Sequence, residues 1–196
     1  MSGGKLGCVL LASGLGRRFG GNKLLAEVEG RTLLDRAMDA LPAGDFQRAA
    51  VTSRYPAVLA RAAERGYLPL ENPLAEEGIA AGVRLGLSAM EGMDGVLFAV
   101  CDQPWLTRDS VSRLAAAFRR RPDSIHALAW EGERGNPVIF PAWLFPELAA
   151  LRGDRGGGTV IARHPELLRL TRAASPRELE DADTPDRLIP RAFRGE

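Results

Sequence analysis

A short apolar run that ends in a glycine-rich loop and leads into an amphipathic helix leaves few folds open to a chain. Leu6 to Ala12 (LGCVLLA) is that run, and Ser13 to Asn22 then carries Gly14, Gly16, Gly20 and Gly21. Between Arg31 and Leu41, apolar Leu33, Leu34, Ala37, Met38 and Leu41 recur at helical spacing. A strand without polar alternation is one buried on both faces, as in a parallel sheet covered by helices. Strand, loop and helix in that order predict a doubly wound, mostly parallel α/β sheet.

The remaining chain keeps the alternation. Ala49 to Thr52 is a strand, Ala57 to Arg65 a helix, Tyr67 to Leu70 a strand and Ala80 to Met90 a helix. Gly95 to Val100 (GVLFAV) is a buried strand that stops at Asp102-Gln103-Pro104, where proline ends ladder pairing. Thr107 then caps a helix whose stripe is Val111, Leu114, Ala115 and Phe118 and whose end is the solvated run Arg119 to Arg121. Ile125 to Trp130, a turn over Glu131 to Gly135 and Val138 to Phe140 predict a hairpin insertion, which makes the sheet mixed; Trp143 to Leu151 predicts another helix. With no internal repeat and no low-complexity linker, residues 1–196 are read as one domain.

Charge and composition exclude several partners. Lys and Arg number 26 against 25 Asp and Glu, so the chain has no general attraction for nucleic acid. No apolar run is long enough to span a membrane, and Met1 to Lys5 lacks the layout of a signal peptide, so a cytoplasmic chain is expected. Cys8 and Cys101 sit in apolar strand-like runs and are assigned to the core. His126 is read as a strand residue, His164 as a helix C-terminal cap, and Trp105, Trp130 and Trp143 as packing residues.

The glycine loop decides the chemistry. Main-chain N–H groups after a strand can converge on an anion. A dinucleotide fingerprint requires a third glycine where Phe19 stands, and a Walker loop requires Gly, Lys and Ser or Thr in succession, whereas Asn22 separates Gly21 from Lys23 and Leu24 follows. What remains is Gly-x-Gly-x-Arg-x-Gly-Gly-x-Lys, with Arg18 and Lys23 adding positive charge to a loop suited to a triphosphate.

Leu11-Ala12-Ser13-Gly14 through Lys23 resembles the signature of nucleotidyltransferases that activate sugars, isoprenoid precursors and molybdopterin. Asp102-Gln103-Pro104, Gly135-Asn136-Pro137, Gly153-Asp154-Arg155-Gly156 and Asp181-Ala182-Asp183-Thr184-Pro185 follow in the order seen in MobA-like NTP transferases, in particular molybdenum cofactor cytidylyltransferases. The resemblance covers nearly the whole chain. It implies a Rossmann-like fold and transfer of CMP from CTP to molybdopterin with loss of pyrophosphate. It also implies a nucleotide site at Leu11, Ala12, Ser13, Gly14, Gly16, Arg18, Lys23, Asn72, Gly78 and Asp102, with Arg18, Lys23 and Asp102 catalytic. Magnesium would be held by Asp102 and Asp183, and a molybdoenzyme apoprotein or its chaperone would be a downstream partner. Two carboxylates suffice for magnesium, a hard cation that keeps several waters; helix capping is the competing reading of each aspartate.

Departures from the family pattern fall unevenly. Ser13, Gly16, Phe19 and Cys101 are mild changes in the nucleotide half. Ala81 and Gly82 replace serines, Asn136 replaces a histidine, and Gly157-Gly158 replaces an alanine-arginine pair, so the acceptor half differs more. Guanylyl transfer, another phosphorylated acceptor, and a non-catalytic nucleotide-binding chaperone are the alternatives that these departures leave open.

Overall fold

The computed structural model describes residues 4–14 and 23–182. β1 (Leu6–Leu11) lies at the centre, and its alternate side chains enter two different cores. Leu6, Cys8 and Leu10 face one, Val9 the other, which is why the run shows no polar alternation. A small ribbon of β2 (Glu27–Val28) and β3 (Arg31–Thr32) precedes α1 (Leu33–Ala40), whose N-cap Thr32 accepts a hydrogen bond from the Asp35 amide at 3.0 Å. β4 (Arg48–Ser53), α2 (Pro56–Glu64), β5 (Leu68–Glu71) and α3 (Ile79–Ser88) follow as the alternation predicts, and then β6 (Gly95–Val100). α4 (Arg108–Arg120) starts at Thr107, which accepts from the Ser110 amide, and ends with Arg119 and Arg120 exposed.

The hairpin is longer than its apolar residues indicate. β7 (Ile125–Trp130) and β8 (Glu133–Pro141) join through Glu131 and Gly132 alone, with φ of 49° and 87°. Positive φ at both central residues matches the twist of the flanking strands, so pairing runs to Glu133 and the turn does not extend to Gly135. Beyond α5 (Phe145–Ala149) and α6 (Gly158–Arg163), a strand not expected from the sequence, β9 (Leu168–Arg172), pairs parallel to β7. The Trp143 region is a 3-10 turn over Ala142–Leu144 running into α5, shorter than the predicted helix.

The sheet order is β5-β4-β1-β6-β8-β7-β9, in which only β8 is antiparallel to its neighbours. From β1 the chain winds outward to β4 and β5, then returns through α3 to β6 on the other side of β1. The order reverses between β1 and β6, and the crevice beyond the carboxyl ends of those two strands is where open α/β sheets bind ligands. α1, α2 and α4 cover one face, and α3, α5 and α6 the other. Gly86 lets α3 approach β1, since a Cβ there would overlap the side chain of Val9. Cys8 and Cys101 are buried in the first core, and burial pushes both thiols far above their ordinary range, so they pack as apolar groups. The described residues contain no helix long and apolar enough to cross a membrane.

Candidate active site

The segment Leu11–Gly14 leaves the sheet braced by β4 and β5. The Ala12 amide donates to Thr52 O (2.9 Å), and Ser53 Oγ donates to Ala12 O (2.9 Å). Ser13 Oγ donates to Thr52 O (3.2 Å) and accepts from Asn72 Nδ2 (3.1 Å). Tyr55 OH donates to Gly14 O at 3.3 Å. Ala12 therefore spends both main-chain groups inside the protein. Asn72, expected at the nucleotide, is buried with both ends of its amide engaged, since its Oδ1 accepts from the Leu74 amide (3.2 Å). Its side chain supports Ser13 rather than presenting a free group to solvent.

Across the crevice β6 delivers Asp102. Lys23, at the start of the 3-10 turn Lys23–Leu25, places its Nζ 3.4 Å from Asp102 Oδ2. Both side chains are part-buried, and Asp102 keeps an exposed edge. The fold thus joins the end of the glycine loop to the end of the fourth parallel strand. Gly16, Arg18 and Asp183 lie outside the described residues. The chain next to Asp183 is placed, however, because the Ala182 amide donates to Asp102 O at 2.7 Å. Gln103 Nε2 donates to Leu179 O (3.3 Å) and to Asp181 Oδ1 (3.1 Å), so the late segment closes directly on the Asp102 loop.

Sequence reasoning missed the anchor of that segment. Glu178 is buried and its carboxylate accepts hydrogen bonds from the Thr107 amide (3.1 Å), Thr107 Oγ1, Ser110 Oγ (2.7 Å) and the Ala174 amide (2.6 Å). One carboxylate thereby ties the 3-10 turn Pro176–Leu179 to the N-terminus of α4. Trp105 is gripped between guanidinium groups, Arg177 at 3.5 Å and Arg36 at 5.2 Å from its ring, which is the packing role expected of it. His126 is a buried residue of β7 whose Nε2 meets Arg121 O at 2.9 Å, and His164 caps α6 while its ring bonds Glu147 at 2.7 Å.

Gly78 belongs to a different contact from the one expected of it. It is the N-cap of α3 at φ 98° and ψ −176°, a region essentially reserved for glycine. A Cβ would stand 2.5 Å from Gly153 C and 2.6 Å from Gly153 O, and the Ala80 amide donates to that same Gly153 carbonyl (3.1 Å). The Gly153–Gly156 turn is thereby docked on the start of α3. Gly78→Ala is expected to destabilise the protein by about 2 kcal/mol, because dihedral strain and a backbone clash coincide. A urea midpoint within error of the wild type would show that the turn yields without cost.

Between α3, β8 and α6 lies a small cleft of about 80 Å³. Leu11 and Val100, the last residues of β1 and β6, line its inner end, so it opens from the same crevice as Lys23 and Asp102. Its other walls include Ile79, Phe98, Val138, Phe140, Arg134 and Asn136. Asn136 joins Pro137 through a cis peptide bond. The glycine pair at 157 and 158 borders this cleft, and a Cβ at Gly157 would stand 2.6 Å from the Phe140 ring, so Phe140 takes the space that a side chain there would need.

A doubly wound sheet with lysine and carboxylate facing across the switch point is an arrangement that suits nucleotidyl transfer. The chain belongs to the MobA-like NTP transferase domain family, which matches residues 8–168. It is 30% identical over 191 residues to the nicotine blue oxidoreductase of Paenarthrobacter nicotinovorans, covering 92% of this chain and 93% of that protein. It is 38% identical over 122 residues to a molybdenum cofactor guanylyltransferase of Acidiphilium cryptum, covering 59% of this chain and 60% of that one. Among solved structures, Rv0371c from Mycobacterium tuberculosis H37Rv is similar with a TM-score of 0.79 at 26% identity, over 96% of this chain and 98% of that chain.

Proposed function

We propose that this protein transfers CMP from CTP to the terminal phosphate of molybdopterin and releases pyrophosphate, with magnesium as its cofactor. The observation that carries the reading is the convergence of Ser13, Gly14, Lys23 and Asp102 at the carboxyl ends of β1 and β6, with Lys23 and Asp102 3.4 Å apart. In the reaction an acceptor phosphate oxygen bonds to the α-phosphorus of CTP, and the bond from that phosphorus to the oxygen bridging the β-phosphorus breaks. The acceptor oxygen is already anionic at neutral pH, so alignment and charge stabilisation suffice and no general base is required. In this reading Lys23 holds the triphosphate and the amides of Ser13 and Gly14 orient the nucleotide.

The donor set suits magnesium. Asp102 offers a partly exposed hard-oxygen ligand, and the hydrogen bond from the Ala182 amide to Asp102 O holds the chain leading to Asp183 beside it. A bound magnesium ion would supply neutralisation of charge on the phosphate oxygens. Asp102 and Asp183 would hold that ion.

CTP is taken over GTP on the resemblance of the whole chain to cytidylyltransferases. The second reading, guanylyl transfer, has its own support in the guanylyltransferase relative. Mixing the protein with magnesium, molybdopterin and either nucleotide is expected to release pyrophosphate, with a higher kcat/KM for CTP. A higher value for GTP would move the protein to guanylyl transfer. No release with either nucleotide would overturn transfer to this acceptor.

A further inference from the structure

We propose that Arg134 reads an anionic group of the acceptor in the cleft beside the nucleotide site, and that the acceptor joins an apolar body to that anion. The proposal rests on the nucleotidyl-transfer reading only in making the occupant of the cleft an acceptor. Arg134, Asn136, Val138 and Phe140 of β8 all line the cleft. The strand departs from regular pairing just there, with an irregularity opposite Ala127 to Ala129, before Arg134 pairs with Ala129.

Arg134 is the one charged residue among the described residues that line the cleft. Arg31, Arg36, Arg54, Arg61, Arg65, Arg84, Arg108, Arg113 and Arg163 all have carboxylate partners. Among the described residues none pairs with Arg134, although its guanidinium borders a mostly apolar cleft. The apolar walls of the cleft include Phe98 edge-on to Phe140, ring centres 6.3 Å apart, with Ile79 and Val83 on the helix side. An exposed guanidinium at the rim of an apolar cleft is a fork for a carboxylate or phosphate.

The opposite wall is stripped of side chains. A Cβ at Gly157 would strike Phe140, whereas a Cβ at Gly158 would meet only Arg134 Nη2, at 3.6 Å. Position 158 thus looks straight at the guanidinium with open room, and a long cationic side chain grafted there would reach the same space.

The test uses the intact protein and fluorescence titration with 1-naphthyl phosphate, 1-naphthoate and uncharged 1-naphthol. The wild type is expected to bind at least one of the two anions roughly tenfold or more tightly than the naphthol, and the tighter anion identifies the group read. Arg134→Gln is expected to lose that preference with an unchanged melting temperature, and Gly158→Arg in the Arg134→Gln background to restore most of it. Equal binding of anion and naphthol by the wild type, or an undiminished preference in Arg134→Gln, overturns the proposal. Titration of CTP with magnesium is run in parallel and should be insensitive to Arg134→Gln. If no variant binds CTP while the anion preference still follows Arg134, the nucleotidyl-transfer reading fails and Arg134 stands as the anion contact.

Discussion

Asp102→Asn is expected to lower kcat/KM for nucleotidyl transfer by roughly 100- to 1,000-fold, the scale of losing a principal source of charge stabilisation in a transition state. Asp183→Asn and the double variant should lose a similar amount, since groups that hold one ion act as a unit and are strongly non-additive. The structural motive is the meeting of three segments at one point: Lys23 Nζ lies 3.4 Å from Asp102 Oδ2, while the Ala182 amide holds the neighbouring chain on Asp102 O at 2.7 Å. Helix capping predicts a different pattern, about 1 kcal/mol of stability per aspartate with losses that add. Single-turnover kinetics at varied magnesium, with thermal melts of all three variants, separates the two. Full activity of Asp183→Asn at saturating magnesium would sink the two-carboxylate site.

The largest effect on stability is expected at Glu178. Its carboxylate serves two amides, of Thr107 and Ala174, and two hydroxyls, of Thr107 and Ser110. The hydroxyls can rotate to other acceptors, but the amides are fixed by the backbone. Glu178→Ala therefore strands at least two buried donors at about 1–3 kcal/mol each and should cost about 3–4 kcal/mol in total. That is a large share of a typical domain's 5–15 kcal/mol, so the urea midpoint should fall markedly (roughly that range applies to most single domains). Glu178→Gln keeps the shape and one acceptor oxygen, and its midpoint should lie between the two. Because the same segment carries Leu179, Asp181 and Ala182 onto the Asp102 loop, activity in Glu178→Ala should fall even well below its melting temperature. A midpoint unchanged from the wild type would mean that water replaces the carboxylate fully.

Where the sequence misleads is informative. Leu168-Arg169-Leu170-Thr171-Arg172 has only two apolar residues and two charged ones, so no buried run marks β9; it is a half-exposed edge strand that depends on β7 for its hydrogen bonds. The hairpin turn was placed too late because Glu133 to Gly135 are polar, although they pair as strand once Glu131 and Gly132 adopt positive φ. Asn72 and Gly78 make contacts, with Ser13 and with Gly153, that lie far off in the chain. Glu178 gave no signal at all, since a glutamate in a polar stretch is ordinarily a solvated one.

Properties carried by neighbours in sequence were readable directly: the unbroken apolar runs of β1 and β6, the helical stripes of α1 and α4, the threonine caps, and the glycine loop ending in Lys23. Local sterics and periodicity act over a few residues, so these features determined a doubly wound sheet with ligand-facing groups at its strand ends. The tertiary structure alone decided which of those groups meet. Lys23 and Asp102 are 79 residues apart, Glu178 and Ser110 are 68 apart, and Arg134 faces Gly158 from another element. Such pairings arise when strand order and helix packing bring distant segments together, and the stabilising burial is shared over the whole core, so no local pattern encodes them.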